Sequence, residues 1–193
     1  MHDVTKLRPK RSMKRSGNAS SHPDLHKSND IVKHPKVNEA VEKYRDQLTP
    51  FEKSEIYSYN EVYCIGSYRV QGMKHITDKE GFYKVKVGEA IGYRYLVDAI
   101  VDSGAFGQVV KCKDMKENGQ IVAVKLSSNK KRDTENAAKE AKYLAKILGK
   151  DPDKYCIVKM LDHFYFRRHF VIVFEMLDMN LYKFIMQPSF KGW

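Results

Sequence analysis

Two apolar, β-branched runs that flank a glycine-rich turn constrain the fold of this chain most strongly. The first run covers residues 95–101 (YLVDAIV) and leads into 103–107 (SGAFG). A second run at 109–110 (VV) is followed by a polar turn and then by 121–125 (IVAVK). No apolar positions at helical spacing follow the turn, so the pattern predicts a strand–turn–strand hairpin. A P-loop or a Rossmann turn is excluded, because each of these must open a helix.

Such a hairpin is suited to covering phosphate groups. Glycines let the backbone approach an anion closely and present its amide N–H groups. A lysine at the end of the next strand, Lys125, could reach the same phosphates as a fixed positive charge. The arrangement resembles the glycine-rich loop of protein kinases followed by their V-A-I-K strand, here Val122-Ala123-Val124-Lys125. The glycines alone are weak evidence, and their spacing from Lys125 is what makes the signal specific.

Composition places the chain among globular proteins of a reducing compartment. It has 193 residues, of which 42% are hydrophobic, and no apolar run approaches the roughly 20 residues that span a bilayer. The N-terminus lacks the apolar segment of a secretory signal. Three scattered cysteines, Cys64, Cys112 and Cys156, are expected to be free thiols. We therefore expect an intracellular protein, cytoplasmic or nuclear, with no membrane partner.

The formal net charge of +11 raises the question of nucleic-acid binding. No DNA- or RNA-binding motif accompanies the charge, so a solvated basic surface is favoured over a nucleic-acid partner. The densest basic cluster could act as a nuclear-import signal or a phosphate-binding arm. It consists of Lys6, Arg8, Lys10, Arg11, Lys14 and Arg15.

The chain divides into three regions by composition. Residues 1–34 are polar and basic and are predicted to be a disordered tail. Residues 35–92 are predicted to form an extension: an amphipathic helix over 37–48 that ends before Pro50, an aromatic packing segment, and a hairpin or ordered loop over 66–92. An aromatic platform for nucleic acid is the alternative for the packing segment. Residues 93–193 are predicted to form the main domain.

Within the main domain the pattern predicts an α+β fold, with about five antiparallel strands and one long helix. An Asn-Gly turn at 117–119 should join two strands. The helix is expected from Thr134 to Leu148, with Gly149 as its C-terminal stop. Two more strands are expected over 156–164 and 169–174, joined by Arg167 and Arg168.

The kinase likeness gives Lys125 an expected partner on that helix, a glutamate that holds its ammonium group in place. Glu140 is the favoured candidate, because it lies beside the alanine-rich stripe that should face inward. Glu135 competes, but a carboxylate in the first turn is explained by the helix dipole alone.

The same likeness implies a nucleotide site around the hairpin. An adenine ring would lie between Ala123 on one side and Val109 with Val101 on the other. Backbone groups of Glu175 and Leu177 would meet the adenine, with Phe174 behind them. Phe106 would cover the phosphates between Gly104 and Gly107. Ordinary β-core packing explains the apolar residues equally well, and Phe106 could be a simple exposed aromatic.

The residues beyond the hairpin narrow the resemblance to one kinase family. Segments 103–111 (SGAFGQVVK), 160–167 (MLDHFYFR) and 174–182 (FEMLDMNLY) resemble the glycine loop, fourth strand and hinge of the dual-specificity tyrosine-regulated kinases, the DYRK family. Upstream, 48–59 (LTPFEKSEIYSY) is similar to the homology box of its class II members. The chain thus resembles the N-terminal portion of such a kinase, with the small lobe at 93–177.

This resemblance implies a Ser/Thr kinase that phosphorylates one of its own tyrosines and uses ATP, Mg²⁺ and protein substrates. Asn180 would lie near the ribose. The chain departs from the family at Asp102, where the first glycine is expected, and a carboxylate there should disfavour a phosphate group.

The His-Arg-Asp, Asp-Phe-Gly and Ala-Pro-Glu motifs of kinases do not occur in these 193 residues. No catalytic residue or metal ligand can therefore be assigned, and the larger lobe is absent from the pattern. We expect this chain alone to be inactive, as a truncated portion of a kinase. The alternative is a short, non-catalytic interaction or regulatory module derived from a kinase.

Overall fold

The computed structural model describes residues 35–104, 107–147, 156–178 and 186. Three α-helices and six strands lie within these ranges. The helices are α1 (Pro35–Lys43), α2 (Pro50–Glu55) and α3 (Lys131–Ile147). The strands are β1 (Ala90–Ile91), β2 (Tyr95–Gly104), β3 (Gly107–Asp114), β4 (Gln120–Leu126), β5 (Met160–Phe166) and β6 (His169–Glu175).

All six strands form one antiparallel sheet in the order β1-β2-β3-β4-β6-β5. The sheet and its long helix confirm the predicted α+β fold of a kinase small lobe. The sixth strand, β1, has two residues and pairs Ala90 with Leu96 and Ile91 with Tyr95. A pattern of two residues is too short for an alternation of apolar and polar positions to be recognised, and the sequence did not predict this strand.

Tight turns close the two hairpins at their predicted positions. Between β3 and β4, Asn118 has φ 51° and Gly119 has φ 82°. Arg167 and Arg168 join β5 and β6 with φ 48° and 72°. Two successive positive φ values are typical of the two-residue turns that match the twist of antiparallel strands. Strand β5, which leads into the second of these turns, begins at Met160, four residues later than the sequence pattern predicted.

The two faces of the sheet pack against different partners. On β4, Val122, Val124 and Leu126 are buried in a core that also contains Val70, Tyr83 and other residues of the segment 59–97. The alternate residues, Ala123 and Lys125, point to the opposite face, since side chains alternate along a strand. Helix α3 packs at this second face. Its buried Ala137 and Ala141 contact Phe170 and Ile172 of β6.

Helix α3 begins three residues before the predicted start, at Lys131, and its last described residue is Ile147. The predicted end at Leu148 and the stop at Gly149 lie outside the described residues. Among the helices of the described ranges, none is long and apolar enough to cross a membrane.

The prediction that one helix would run to Pro50 was wrong. Helix α1 ends at Lys43, and Pro50 begins the separate helix α2. Thr49 caps α2: its Oγ1 accepts from the Glu52 backbone N–H, while the Glu52 side chain accepts from the Thr49 N–H. This reciprocal pair is a capping box, and proline is favoured at the first helical position. Residues 49–52 (TPFE) thus start helix α2, at a place where the proline by itself had suggested the end of a helix.

Glu52 also fixes the loop that follows. Its Oε1 accepts from the Val70 backbone N–H at 3.1 Å, and Thr49 Oγ1 donates to the Val70 carbonyl at 2.6 Å. Within the segment 66–92, residues 66–89 form an ordered loop with one isolated bridge between Thr77 and Tyr83, and strand β1 follows. The extension is therefore bonded to itself across about twenty residues and packs on the first face of the sheet.

A buried arginine joins this extension to the sheet. The side chain of Arg167, at the β5–β6 turn, is 3% exposed and forms two bonds of 2.7 and 2.8 Å to Glu55 of α2. It also donates to Glu89 and to the Tyr83 hydroxyl, each at 2.7 Å. Burial alone would lower the pKa of the guanidinium, but its bond to Glu55 and the neighbouring charges raise that pKa above its usual value. Arg167 is therefore charged, and both carboxylates depend on it.

We expect Arg167→Met to destabilise the protein by about 3–5 kcal/mol, because it leaves the buried carboxylate of Glu89 and the partly buried carboxylate of Glu55 without their cation. Urea unfolding at pH 7.5 measures this as a lower midpoint. Arg168→Met is the matched control: Arg168 is the exposed neighbour in the same turn and also has a positive φ. Its loss should change stability by less than about 0.5 kcal/mol.

The pH dependence separates charge from packing. Burial already raises the pKa of the Glu89 carboxyl, against the lowering effects of Tyr83 and Arg167. Without Arg167 this pKa should rise further, so the folded variant favours the protonated carboxyl and its penalty should shrink as pH falls from 7.5 towards 5. A penalty that stayed constant over this range would show that Arg167 acts through packing alone.

Candidate functional site

The glycine-rich turn lies between β2 and β3, the strands that it was predicted to join. Gly104 ends β2 and Gly107 begins β3, and these two residues are paired. Ala105 and Phe106 lie outside the described residues, so the expectation that Phe106 covers the phosphates stays a prediction. The pairing of β2 with β3 shifts register at Asp98 and again at Val101. Val101 therefore has no direct cross-strand partner, and it is 42% exposed.

The two glycines differ in what surrounds them. Gly107 has φ 133°, and a Cβ added there would lie 2.2 Å from the Leu126 carbonyl oxygen. Any larger residue would therefore push β3 away from β4. A Cβ added at Gly104 would meet nothing within 4 Å. Packing explains the glycine at 107 without a ligand, whereas it does not explain the glycine at 104.

Lys125 and Glu140 face each other across the gap between β4 and α3. The Lys125 Nζ lies 2.8 Å from both carboxylate oxygens of Glu140. The competing candidate, Glu135, is exposed and lies 4.0 Å from Lys131 of its own helix. The side chains of Lys125 and Glu140 are 26% and 40% exposed, so the pair sits at an open surface. The structure thus brings together the two residues that the sequence favoured.

The fold itself fixes this pairing. Lys125 points away from the core because Val124 and Leu126, on either side, are buried on the other face. On α3, Glu140 precedes Ala141 and follows Ala137 by three positions, so it lies on the helix surface that contacts the sheet. The burial pattern of β4 and the packing of α3 on the sheet therefore bring two opposite charges together.

The predicted adenine-facing residues lie on this same face of the sheet. Val109 is directly opposite Lys125 in the β3–β4 pairing, and Ala123 is directly opposite Phe174 in the β4–β6 pairing. Directly paired residues project from the same face. Val109 and Ala123 are both partly buried, so an apolar wall remains open beside the Lys125 ammonium.

The last residues of β6 stand at one end of this wall. Phe174 is partly buried and packs against the cluster beneath α3. The Glu175 carboxylate accepts from the Lys159 backbone N–H at 2.8 Å, and the Glu175 backbone N–H donates to the Lys159 carbonyl at 3.0 Å, so neither of these groups is available to a ligand. Leu177 follows and is 56% exposed. Asn180 lies outside the described residues.

One charged residue on this face was not predicted from the sequence. Lys111 is directly opposite Ala123, and its Nζ lies 3.1 Å from the Asp98 carboxylate. Counting every second residue from Val109 would have placed it there. Asp98 lies at the first register shift of β2, and Lys111 is therefore a neighbour of the site whose charge is already paired.

The arrangement fits a nucleoside triphosphate in its charge and shape. It offers a half-buried ammonium group held by a carboxylate, a flat apolar wall, and a glycine with open space around it. The described residues do not offer a comparable site for a divalent cation. Within 35–104, 107–147 and 156–178 no group of three His, Cys, Asp or Glu side chains could hold a metal ion.

Comparison with curated proteins gives a consistent set of relatives. The chain is 40% identical over 167 residues to the human dual specificity tyrosine-phosphorylation-regulated kinase 4, which matches 80% of this chain. It is 41% identical over 156 residues to the DYRK-family kinase pom1 of Schizosaccharomyces pombe, which matches 75% of it. It is 38% identical over 164 residues to the kinase mbk-2 of Caenorhabditis elegans, which matches 80% of it.

The matches cover much less of the relatives. They span 31% of the human protein, 14% of pom1 and 20% of mbk-2. No protein-family profile matches the chain. The similarity nevertheless covers most of the described fold, and these relatives are all kinases of one family. With its six-stranded sheet, its long helix and the Lys125–Glu140 pair, the chain corresponds to the N-terminal kinase portion of a DYRK-like protein.

Proposed function

We propose that this chain is the ATP-binding part of a DYRK-like protein Ser/Thr kinase. The observation that carries the proposal is the contact between Lys125 and Glu140, because it holds a lysine as a fixed cation beside an open apolar wall. In kinases the equivalent lysine binds the nucleotide phosphates. Protein substrates and autophosphorylation on tyrosine are proposed for the whole kinase by likeness to the relatives.

The roles of the neighbouring residues follow from their positions. The adenine would lie against Ala123 and Val109, with Val101 at its edge. Backbone groups of Glu175 and Leu177 would bind its polar edge, with Phe174 behind them. The phosphates would extend towards Lys125 under the turn that contains Gly104 and Phe106. Asn180 is proposed to contact the ribose.

We expect the purified chain to bind ATP, and Lys125→Met to weaken this binding about 10- to 100-fold. The reason is that a hydrogen bond to a charged group contributes about 1.5–3 kcal/mol. Titration of a fluorescent ATP analogue measures the effect. Because the ion pair is partly exposed, its loss should change the free energy of unfolding by less than about 1 kcal/mol.

Glutamates on one helix provide the matched comparison. Glu140→Gln should weaken ATP binding, since Lys125 loses the carboxylate that orients it. Glu135→Gln changes an exposed carboxylate of the same helix and should leave binding unchanged. Equal ATP affinity in wild type and in both Lys125→Met and Glu140→Gln would contradict the proposed nucleotide site.

We further propose that these 193 residues bind ATP without transferring its phosphate. The sequence contains none of the motifs that supply a kinase's catalytic base and metal ligands. We expect no incorporation of radioactive phosphate from MgATP into a general protein substrate or into the chain itself. Incorporation that disappears in Lys125→Met would contradict this expectation. If ATP does not bind at all, the non-catalytic interaction module becomes the better proposal.

Asp102 offers a test of charge at the mouth of the site. Its Oδ1 accepts from the Ser103 backbone N–H at 2.8 Å, and the residue does not have a positive φ. The backbone at this position therefore does not require glycine, and repulsion of phosphate is the remaining cost. We expect Asp102→Asn to tighten ATP binding about two- to fivefold at low salt, and the gain to fall at 0.5 M salt.

Two further variants complete this test. Glu117→Gln removes an exposed carboxylate from the β3–β4 turn, at the far end of the strands from Asp102, and should leave ATP affinity unchanged. Asp102→Gly should tighten ATP binding by the same factor as Asp102→Asn. If only the glycine variant tightens binding, backbone freedom rather than charge limits the affinity.

A further inference from the structure

A small basic pocket lies in the extension, on the side of the sheet opposite to Lys125. It has a volume of about 170 Å³ and is lined by Arg69, His75, Lys84 and Lys86, with Tyr83 and Glu89 among its other residues. We call it the basic pocket. Tyr83 belongs to the core on the first face of β4, which places the pocket away from the proposed nucleotide site. No role in nucleotide binding therefore accounts for it.

Hydrogen bonds fix the walls of the basic pocket. Val70, which lines it, is held through its N–H and its carbonyl by Glu52 and Thr49 at 3.1 and 2.6 Å. On the opposite wall, the Lys84 N–H donates to the Ile76 carbonyl at 2.7 Å. The pocket is preformed, so a ligand would not have to order these loops.

The charges of the basic pocket are poorly compensated. Lys84 and Lys86 are exposed, flank the buried Val85 and both line the pocket. In the described part of the chain neither ammonium lies within 4.0 Å of a carboxylate, whereas Arg69 lies 3.6 Å from Glu52. Lysines held close together without acids favour an anion between them.

The single carboxylate among the lining residues is already occupied. Glu89 Oε1 accepts from Arg167 at 2.7 Å and from the Tyr83 hydroxyl at 2.5 Å. Its negative charge is therefore directed into the buried cluster. Lys84 and Lys86 remain in excess at the rim, whereas the charge of Arg69 is shared with Glu52. An anion entering the pocket would meet net positive charge.

The size of the pocket restricts the ligand. Pockets for drug-sized molecules have volumes of about 300–1,000 Å³, so this one suits one compact anionic group and the end of the chain that carries it. Nucleic-acid surfaces instead follow several phosphates along an extended basic groove. Tyr68, also a lining residue, is 43% exposed at the rim and offers an aromatic surface for a neighbouring side chain.

We propose that the basic pocket binds the phosphate monoester of a phosphorylated side chain in a protein segment. Lys84 and Lys86 supply the main attraction. Arg69 can donate a further hydrogen bond when its guanidinium turns partly away from Glu52. The dianionic phosphate has three acceptor oxygens, enough to contact all three cations at once. Binding forms no covalent bond and requires no co-reactant, and it is independent of ATP at the other face.

The test is an NMR titration of the ¹⁵N-labelled chain with N-acetyl-O-phosphotyrosine amide and, separately, with N-acetyl-O-phosphoserine amide. We expect saturable shifts of the amides of Gln71, Gly72 and His75, which line or adjoin the pocket. Lys84→Ala/Lys86→Ala should weaken binding at least tenfold. Lys113→Ala/Lys142→Ala removes the same charge from exposed positions on β3 and α3 and should leave binding unchanged.

Further probes distinguish the sources of the phosphate. Unphosphorylated N-acetyltyrosine amide should cause no shift, and inorganic phosphate should bind more weakly than the phosphorylated amino acids. No saturable shift with either phosphorylated amino acid would overturn the proposal. So would equal weakening by the two double variants, which would mean a diffuse effect of net charge. Tighter, Lys84-dependent binding of phosphoinositide vesicles or of a single-stranded oligonucleotide would overturn the protein source in favour of those ligands.

Discussion

The buried guanidinium of Arg167 is the contact on which the rest of the structure depends. A charge with 3% exposure is tolerated only when nearby groups replace its water, and here the replacements come from two distant parts of the extension, Glu55 in α2 and Glu89 just before β1. Neither segment could leave without exposing or orphaning a buried charge, which costs several kcal/mol. Aromatic rings of Phe51 and Phe166 lie 5.3 and 4.5 Å from the guanidinium and complete its surroundings. The extension is consequently part of the folded unit and cannot be treated as an appended tail.

Covering the first face of the sheet determines what the second face can do. Because the extension packs on Val122 and Val124, the alternate residues of β4 face α3 and the open surface. Ala123 and Lys125 therefore combine a small apolar residue and a cation two positions apart on one strand. The helix supplies Glu140 to the same place through the packing of Ala137 and Ala141. One alternating strand thus serves as core on one side and as candidate binding wall on the other.

Local patterns in the sequence predicted the parts of the fold that depend on neighbours along the chain. The Asn118-Gly119 turn, the β2–β3 hairpin and helix α3 are each encoded by a few adjacent residues, and the structure contains all three. The Lys125 partner could also be chosen, because helical spacing separates Glu140 from Glu135. The burial of Arg167 could not be foreseen, since an arginine in a two-residue turn normally faces solvent and its partners are 78 and 112 positions away. Pro50 was misread for another reason: the capping residues Thr49 and Glu52 outweigh the tendency of proline to end a helix.

The glycine motif shows how a functional pattern can contain a structural requirement. Gly107 is needed wherever β3 passes this close to the Leu126 carbonyl, with or without a nucleotide. Finding glycine there is therefore weak evidence for phosphate binding. Gly104 has open space around it, and no contact within the described residues demands its lack of a side chain. Packing would therefore accept a larger residue at position 104, and the open space there leaves room for a ligand to approach. At this turn the open space at Gly104 and the charge of Lys125 are therefore the features that favour a nucleotide, whereas Gly107 contributes by allowing β3 to pack close to β4.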